Sequence, residues 1–400
     1  MFRLLQGDVG CGKTLVALIS CLNVIKNNYQ VGFMAPTEIL AKQHYESAIN
    51  LFDKSINVSL LTSKTQFKDR KKILNDLNNN KIDLIFGTHS LFQEKLKFYN
   101  LGLIVIDEQH KFGVKQRKKL SDKGGNNCDI LVMSATPIPR TLIMTIFGDM
   151  DTSIIKNKPK NRKVIKTYSK VDTKINEIIS FIRKQINNNN QIFWVCPLIE
   201  QSKKIDHQSS ILRYESLKKI FKNKVGLLHG SLGQEEKNKI LFDFLNKKID
   251  ILVSTTVIEV GIDFPNANII IIENANKFGL SQLHQLRGRV GRGLKKSNCI
   301  LMFKSNLSEN AKKRIKVLKS TNDGFKISEE DMKLRGFGDI LGFKQSGVKN
   351  FRLADPIINH DLFLMAEKEI KRIELYEKNL SRYKTLLKLY DKADIINDLV

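Results

Sequence analysis

The chain has 400 residues, 42% hydrophobic and 27% charged, a composition that excludes general disorder and is too long for one ordinary core, so two or three domains are expected. No apolar stretch reaches roughly 18 residues without a charge, and no signal peptide opens the chain, which argues against a membrane or secreted protein and for the cytoplasm. With 67 Lys/Arg against 41 Asp/Glu the net charge is +26, and the stretch from Lys156 to Lys224 alone carries 17 basic against 5 acidic residues. Two readings of that charge stand. One is compositional, since the chain is rich in Lys, Asn and Ile (Asn187 to Asn190 is a pure Asn run). The other is a polyanionic partner, most simply nucleic acid. The five cysteines, Cys11, Cys21, Cys128, Cys196 and Cys299, form no C-x-x-C pair, which fits a reducing compartment and speaks against a zinc site.

In chain order, Phe2 to Leu5 read as a strand that runs into Gly7-Asp8-Val9-Gly10-Cys11-Gly12-Lys13-Thr14. This is a complete G-x-x-x-x-G-K-[ST] loop, and Leu15 to Lys26 follow it with helical spacing. Gly7, Gly10 and Gly12 let the backbone curl so that its N–H groups converge on phosphate oxygens. Lys13 places a cation on the β- and γ-phosphates, and Thr14 offers a hydroxyl to Mg²⁺. Val31 to Met34, Leu84 to Phe86, Leu103 to Ile106 and Leu131 to Met133 are short, apolar and rich in β-branched residues, as buried parallel strands are. Ile39 to Phe52 has helical spacing. Asp107-Glu108 follow the third of those runs, at the strand end where open α/β sheets place ligands. Asp107 is expected to bind Mg²⁺ through its shell, and Glu108 to orient and deprotonate the attacking water. His110 is either structural or couples the nucleotide to the second domain. Ser134 and Thr136 after Leu131 to Met133 either bridge the acidic site to its neighbour or form a capped turn.

Lys156 to Lys163 is polar, charged and proline-containing, and reads as a link between two α/β domains. A second series of strands follows: Ile192 to Val195, Val225 to Leu228, Ile251 to Val253 and Ile269 to Ile272. Gln285-Leu-Arg-Gly-Arg289-Val-Gly-Arg292 puts two arginines three residues apart on one face of an expected helix. They suit a γ-phosphate, as arginine fingers from across an interface. A basic surface helix and contacts to DNA phosphates are the other readings of the hexapeptide alone. After about residue 305 the pattern turns helical, with Leu307 to Ser320 and Leu362 to Leu389 flanking a Gly-rich loop.

The ordered set GDVGCGKT (7–14), APTEIL (35–40), GTH (87–89), DEQH (107–110), SATP (134–137), LLHG (227–230), STTVIEVGID (254–263) and QLRGRVGR (285–292) resembles superfamily-two helicases and translocases. DEQHKFGVKQR (107–117), MSATPIPRTL (133–142), VCPLIEQS (195–202), FGLSQLHQLRGRVGRG (278–293) and DGFKISEEDMKLRGFGDILGFKQSG (323–347) narrow it to the RecG family of branched-DNA helicases. The transcription-repair coupling factor has a similar motor, but usually carries Glu in place of Gln109 and lacks the PLIE-type run.

That resemblance implies two tandem RecA-like P-loop domains, each a parallel sheet flanked by helices, at 1–155 and 156–304. A helical coupling element with C-terminal helices would follow at 305–400. It implies ATP and Mg²⁺ as cofactors, with Gly7 to Thr14, Gly261 and Asp263 around the nucleotide. Lys13, Glu108, Arg289 and Arg292 would be catalytic. Pro36, Thr37, Gly87, Thr88, Thr255 and Thr256 would lie along the DNA backbone. His110, Ser134, Thr136, Gln285, Arg335 and Gln345 would couple hydrolysis to movement. The partner would be branched or forked DNA, gripped by a monomer with no membrane. Family members also carry an N-terminal wedge domain and an adenine-contacting segment ahead of the phosphate loop. The expectation is therefore a fragment, a misassigned start or a split gene whose wedge is encoded separately. The other functional readings are a coupling-factor-like or restriction-type translocase, and a non-hydrolysing DNA-binding remnant.

Overall fold

The computed structural model describes residues 1–88, 91, 96–108, 128–134, 150–159, 163–197, 203–255, 264–291, 293, 295–335 and 359–376. The first series of elements is β1 (Phe2–Gly7), α1 (Lys13–Lys26), β2 (Gln30–Met34), α2 (Glu38–Leu51), β3 (Val58–Leu61), α3 (Phe67–Asn78), β4 (Leu84–Gly87), β5 (Leu101–Ile106), β6 (Asp129–Ser134) and β7 (Asp151–Ile155). These strands form a sheet in the order β3-β4-β2-β5-β6-β1-β7. Every described pairing in it is parallel.

The second series is β8 (Lys166–Val171), α4 (Ile175–Asn187), β9 (Gln191–Val195), α5 (Lys203–Phe221), β10 (Val225–Leu228), α6 (Gln234–Leu245), β11 (Ile251–Ser254), β12 (Ala267–Ile272), α7 (Leu280–Arg287) and β13 (Asn298–Phe303). Its sheet is also parallel throughout and runs β10-β11-β9-β12-β13-β8. Two helices follow, α8 (Glu309–Ser320) and α9 (Gly324–Arg335), and later α10 (His360–Tyr376). The two RecA-like parallel α/β layers expected from the sequence are present.

Strand alternation explains why these runs are apolar on both faces. In the first sheet Val31, Phe33, Leu103 and Val105 pack on Ala17, Leu18 and Cys21 of α1. Met34, Ile104 and Ile106, one residue out of phase, pack on the opposite face with Leu61, Leu77 and Leu91. In the second sheet Phe193, Val195, Ile270 and Ile272 face one layer, and Ile192, Trp194, Ile269 and Ile271 the other. Each such side chain, once removed from water, contributes roughly 1.5–3 kcal/mol. All five cysteines are free. Burial pushes the Cys21 and Cys299 thiols up to about 12, so both are inert apolar filler at neutral pH.

The last strand of the first sheet ends at Ile155 and the first strand of the second begins at Lys166. Both sheets fall in one compact unit, Met1–Ile138 with Met150–Gly336; Pro139–Asp149 with Phe337–Val400 form another. Helices α8 and α9, expected to open the appendage at 305, thus belong with the sheets. Ile315, Leu318 and Ile327 sit in the same buried cluster as the second sheet's Phe193 and Ile270. Of the second unit, α10 is the described part. No helix among the described residues is long and apolar enough to cross a membrane.

Candidate nucleotide site

The strand order sets the site. β5, β6 and β1 are neighbours, so their C-terminal ends bring Asp107, Ser134 and the Gly7–Thr14 loop side by side. Gln6, just before the loop, is in register with Ser134. The loop turns through Gly10 at φ 71° and Gly12 at φ 99°, left-handed conformations that favour glycine. Gly12 is the N-cap of α1, whose Leu15 and Val16 N–H groups return to its carbonyl. At Gly7 a Cβ would collide with the Cys11 sulfur. Lys13 is buried, and its Nζ donates to the Gly7 and Asp8 carbonyls at 2.7 and 3.0 Å.

Asp107 is buried and accepts two hydrogen bonds, from His44 Nε2 at 2.9 Å and from the Glu108 N–H at 3.0 Å. Burial works to raise its pKa. The His44 hydrogen bond and the nearby positive charge of Lys13 outweigh that and hold the carboxyl below its ordinary value. His44 shares the buried stripe of α2 with Leu40, Ala41 and Ala48, and its ring packs on Phe33 at 4.9 Å. Sequence reading missed it. Its signal was a histidine at core spacing on the helix beside the acidic strand. Glu108 takes a left-handed φ of 53°, a strained backbone for a residue with a Cβ, and strain of this kind collects at functional sites.

The second sheet reaches the same loop. His284 Nε2 lies 2.6 Å from Asp8 Oδ1, and the Lys158 Nζ lies 2.6 Å from Asp8 Oδ2. The backbone N–H of Gly324 donates to the same Oδ2 at 3.3 Å. A Cβ on Gly288 would stand 2.8 Å from the Val9 side chain, so the glycine permits this close approach to the phosphate loop. Arg289, buried, is the next residue.

The expected single helix carrying Arg289 and Arg292 is not what the chain forms. α7 stops at Arg287 with Gly288 as its cap, and Gly291 at φ 78° turns the chain away. Two glycines within four residues give the backbone the freedom to leave the helix. Arg289 therefore sits in a turn, and Arg292 lies outside the described residues.

The remaining expected residues are spread along the strand ends. Thr37 caps α2, its hydroxyl accepting from the Leu40 N–H at 3.4 Å, and Pro36 precedes it half-buried. Gly87 ends β4 where a Cβ would meet Leu91 and the Leu61 carbonyl at 2.8 and 2.9 Å, and Thr88 follows it. Thr255 is buried directly after β11, and Gln285 is half-buried on α7. Arg335 closes α9. Its side chain, His110, Thr136, Thr256, Gly261, Asp263 and Gln345 lie outside the described residues.

With this geometry in place, three family models match successive parts of the chain: DEAD/DEAH box helicase over residues 3–145, helicase conserved C-terminal domain over 173–293, and ATP-dependent DNA helicase RecG, domain 3, C-terminal over 321–384. The ATP-dependent DNA helicase RecG of Bacillus subtilis is 50% identical over 364 residues, 90% of this chain. The chain belongs to the RecG family. RecG of Thermotoga maritima is 46% identical over 94% of the chain. A solved structure of RecG bound to a three-way DNA junction aligns over 90% of the chain, at 44% identity and a TM-score of 0.74. The chain spans about half the length of these relatives, 53% and 48% of the two bacterial proteins and 47% of the solved RecG chain. RNA-bound yeast Dbp5 matches at 19% identity and a TM-score of 0.58, a likeness of fold alone.

Within the RecG frame, Asp8, Lys158, His284, Arg287 and Gly324 are the residues that sequence reading did not single out as one group. Asp8 appeared there only as a member of the phosphate loop. The pairing of Asp8 with His284 spans 276 positions, and that with Gly324 spans 316. The available signal was local: His284 and Arg287 stand three apart on one helix, and so share a face.

Proposed function

We propose that the chain hydrolyses ATP and uses the turnover to move on branched DNA, as a RecG-type translocase. The observation that carries this reading is the meeting of the phosphate loop with the second sheet's Gly288–Arg289 segment. It supports a nucleotide site with one wall on each of the two sheets. Hydrolysis can then be linked to relative movement of those sheets.

In this reading the loop N–H groups and Lys13 hold the β- and γ-phosphates. Thr14 and Asp107 would hold Mg²⁺. The buried, anionic Asp107 beside Lys13 suits a hard cation. Bound there, the ion would neutralise charge developing on the phosphates. Glu108 accepts the proton of the attacking water. Arg289, with Arg292, stabilises the transferring phosphoryl group from the second domain. Gly261 and Asp263 complete the nucleotide pocket. Residues 1–155 and 156–304 act as the two motor domains, and 305–400 links them to movement. Pro36, Thr37, Gly87, Thr88, Thr255 and Thr256 track DNA phosphates, so affinity reads little sequence. The net charge of +26 supports a polyanion partner. The RecG relative bound to a three-way junction supports branched DNA as that partner. The motor works as a monomer, with the wedge supplied by sequence beyond the 400 residues or by a separate chain.

Glu108→Gln tests the chemistry. The amide keeps the shape and loses the base, so turnover should be abolished while ATP binding, read by a fluorescent nucleotide, persists. Turnover at the wild-type rate would show that Glu108 is not the base.

A further inference from the structure

The Asp8–His284–Arg287 chain is fixed more tightly than hydrolysis by the phosphate loop and Arg289 requires. Arg287 is 1% exposed. Its Nη1 donates to the Leu318 carbonyl at 2.6 Å, the Thr321 carbonyl at 3.0 Å and the Thr167 hydroxyl at 3.3 Å. Its Nη2 lies 3.0 Å from His284 Nδ1. A guanidinium only donates, so Nδ1 must accept, and the imidazole proton is left on Nε2. That proton points at Asp8 Oδ1, 2.6 Å away. The tautomer of His284 is thus set from behind, and the ring can act only as a donor to the phosphate loop.

The helix that carries these two residues is gripped at its other end as well. Asp331 of α9 accepts from the Leu280 and Ser281 N–H groups, each at 3.3 Å, and from the Ser281 hydroxyl at 2.6 Å. So α7 is held at its N-terminus by α9. At its C-terminus Arg287 is held by the Leu318 and Thr321 carbonyls, and His284 by Asp8 of the phosphate loop. Arg289 lies two residues past Arg287, in a turn with no helix to aim it.

We propose that His284 is the positioning residue for Arg289: its Nε2–H to Asp8 fixes the distance between the phosphate loop and the turn that presents the arginine. Asp8 is the acceptor, and Arg287 is the brace that holds the ring in the donating tautomer. The start of α9 enters the site through the same carboxylate, because the Gly324 N–H donates to the second Asp8 oxygen, which Lys158 of the link also meets. This rests on the reading of Arg289 as a group acting on the transferring phosphoryl.

The test is a set of steady-state ATPase measurements on the full chain with saturating DNA, each variant checked by thermal melting. Arg289→Ala comes first, because it tests the reading beneath the proposal: kcat should fall, and an unchanged kcat removes the arginine's role whatever His284 does. If kcat falls, His284→Leu should lower kcat by about 10- to 100-fold, the usual cost of a reacting group misplaced by about an ångström, with KM for ATP little changed. His284→Gln should recover most of the rate, since its amide can donate to Asp8 and accept from Arg287. Gly324→Ala attacks the same bond while leaving both partner side chains in place. Its Cβ would stand 2.8 Å from both Asp8 Oδ1 and His284 Nε2, so it should produce the same kcat-selective loss. His284→Leu placed on Arg289→Ala should cost nothing further. Wild-type kcat in both His284→Leu and Gly324→Ala, or additive losses in the double variant, would overturn the proposal.

Discussion

At the scale of single residues, Asp8 and His284 form a buried pair whose titration has a definite sign. Burial raises the Asp8 pKa, but the His284 hydrogen bond and the charges around it hold the carboxyl well below its ordinary value. Burial keeps His284 below the ordinary imidazole value of 6.5, against the pull of Asp8 and with the nearby Arg287 and Lys158 charges opposing protonation. The unfolded chain therefore binds a proton at position 284 at a higher pH than the folded chain does. Stability from this group is complete above about 6.5 and is lost as pH falls through that value towards the folded one. The Asp8 contribution has the same sign in a more acidic window and is lost only below the usual carboxylate range. Melting temperature should fall between about pH 7 and pH 5, and fall less in His284→Gln. Equal slopes in the two proteins would show that the imidazole does not titrate with folding. Lys13, Thr14, Asp107 and Glu108 were legible in the sequence because each belongs to a contiguous motif. Asp8 with His284, and Asp107 with His44, were not, because each pair joins residues that only the sheet order makes neighbours.

At the scale of elements, runs buried on both faces could be read directly, and three of the four sheet edges could not. Val31–Met34, Leu103–Ile106, Ile192–Val195 and Ile269–Ile272 are buried on both faces, so their sequences are continuous apolar runs. β7 and β8 close the sheets with polar residues, Asp151-Thr-Ser and Lys166-Thr-Tyr-Ser-Lys, and the edge β3 is a short Val-Ser-Leu-Leu broken by Ser59, so no long apolar run announces them, whereas the edge β10, Val-Gly-Leu-Leu, is apolar throughout. β13, Asn-Cys-Ile-Leu-Met-Phe, is interior and apolar; it followed the arginine motif and went unnamed. The length of α7 was misjudged for a related reason. A three-residue arginine spacing suggests a helix, but Gly288 and Gly291 give the backbone another path. Element ends that do not carry chemistry should behave simply. The Ser308 hydroxyl caps α8 by accepting from the Ala311 N–H at 3.3 Å. Ser308→Ala should cost about 1 kcal/mol in denaturant unfolding and leave ATP turnover intact, and no change in stability would count against the cap.

At the scale of the whole molecule, two parallel sheets and the first tail helices share one compact unit, and polar contacts cross it where the nucleotide chemistry is assigned. The basic excess between Lys156 and Lys224 spans the link and the start of the second sheet. If that charge meets DNA phosphates, binding releases counterions and the logarithm of affinity falls linearly with that of salt. The central claim is that this chain couples ATP hydrolysis to DNA. The most direct measurement is ATP turnover by the 400-residue chain with and without forked DNA, at low and moderate salt. The expected result is turnover that rises on adding the fork, with a stimulation that needs more DNA as salt increases. Turnover indifferent to DNA, or none under any condition while DNA still binds, would contradict it.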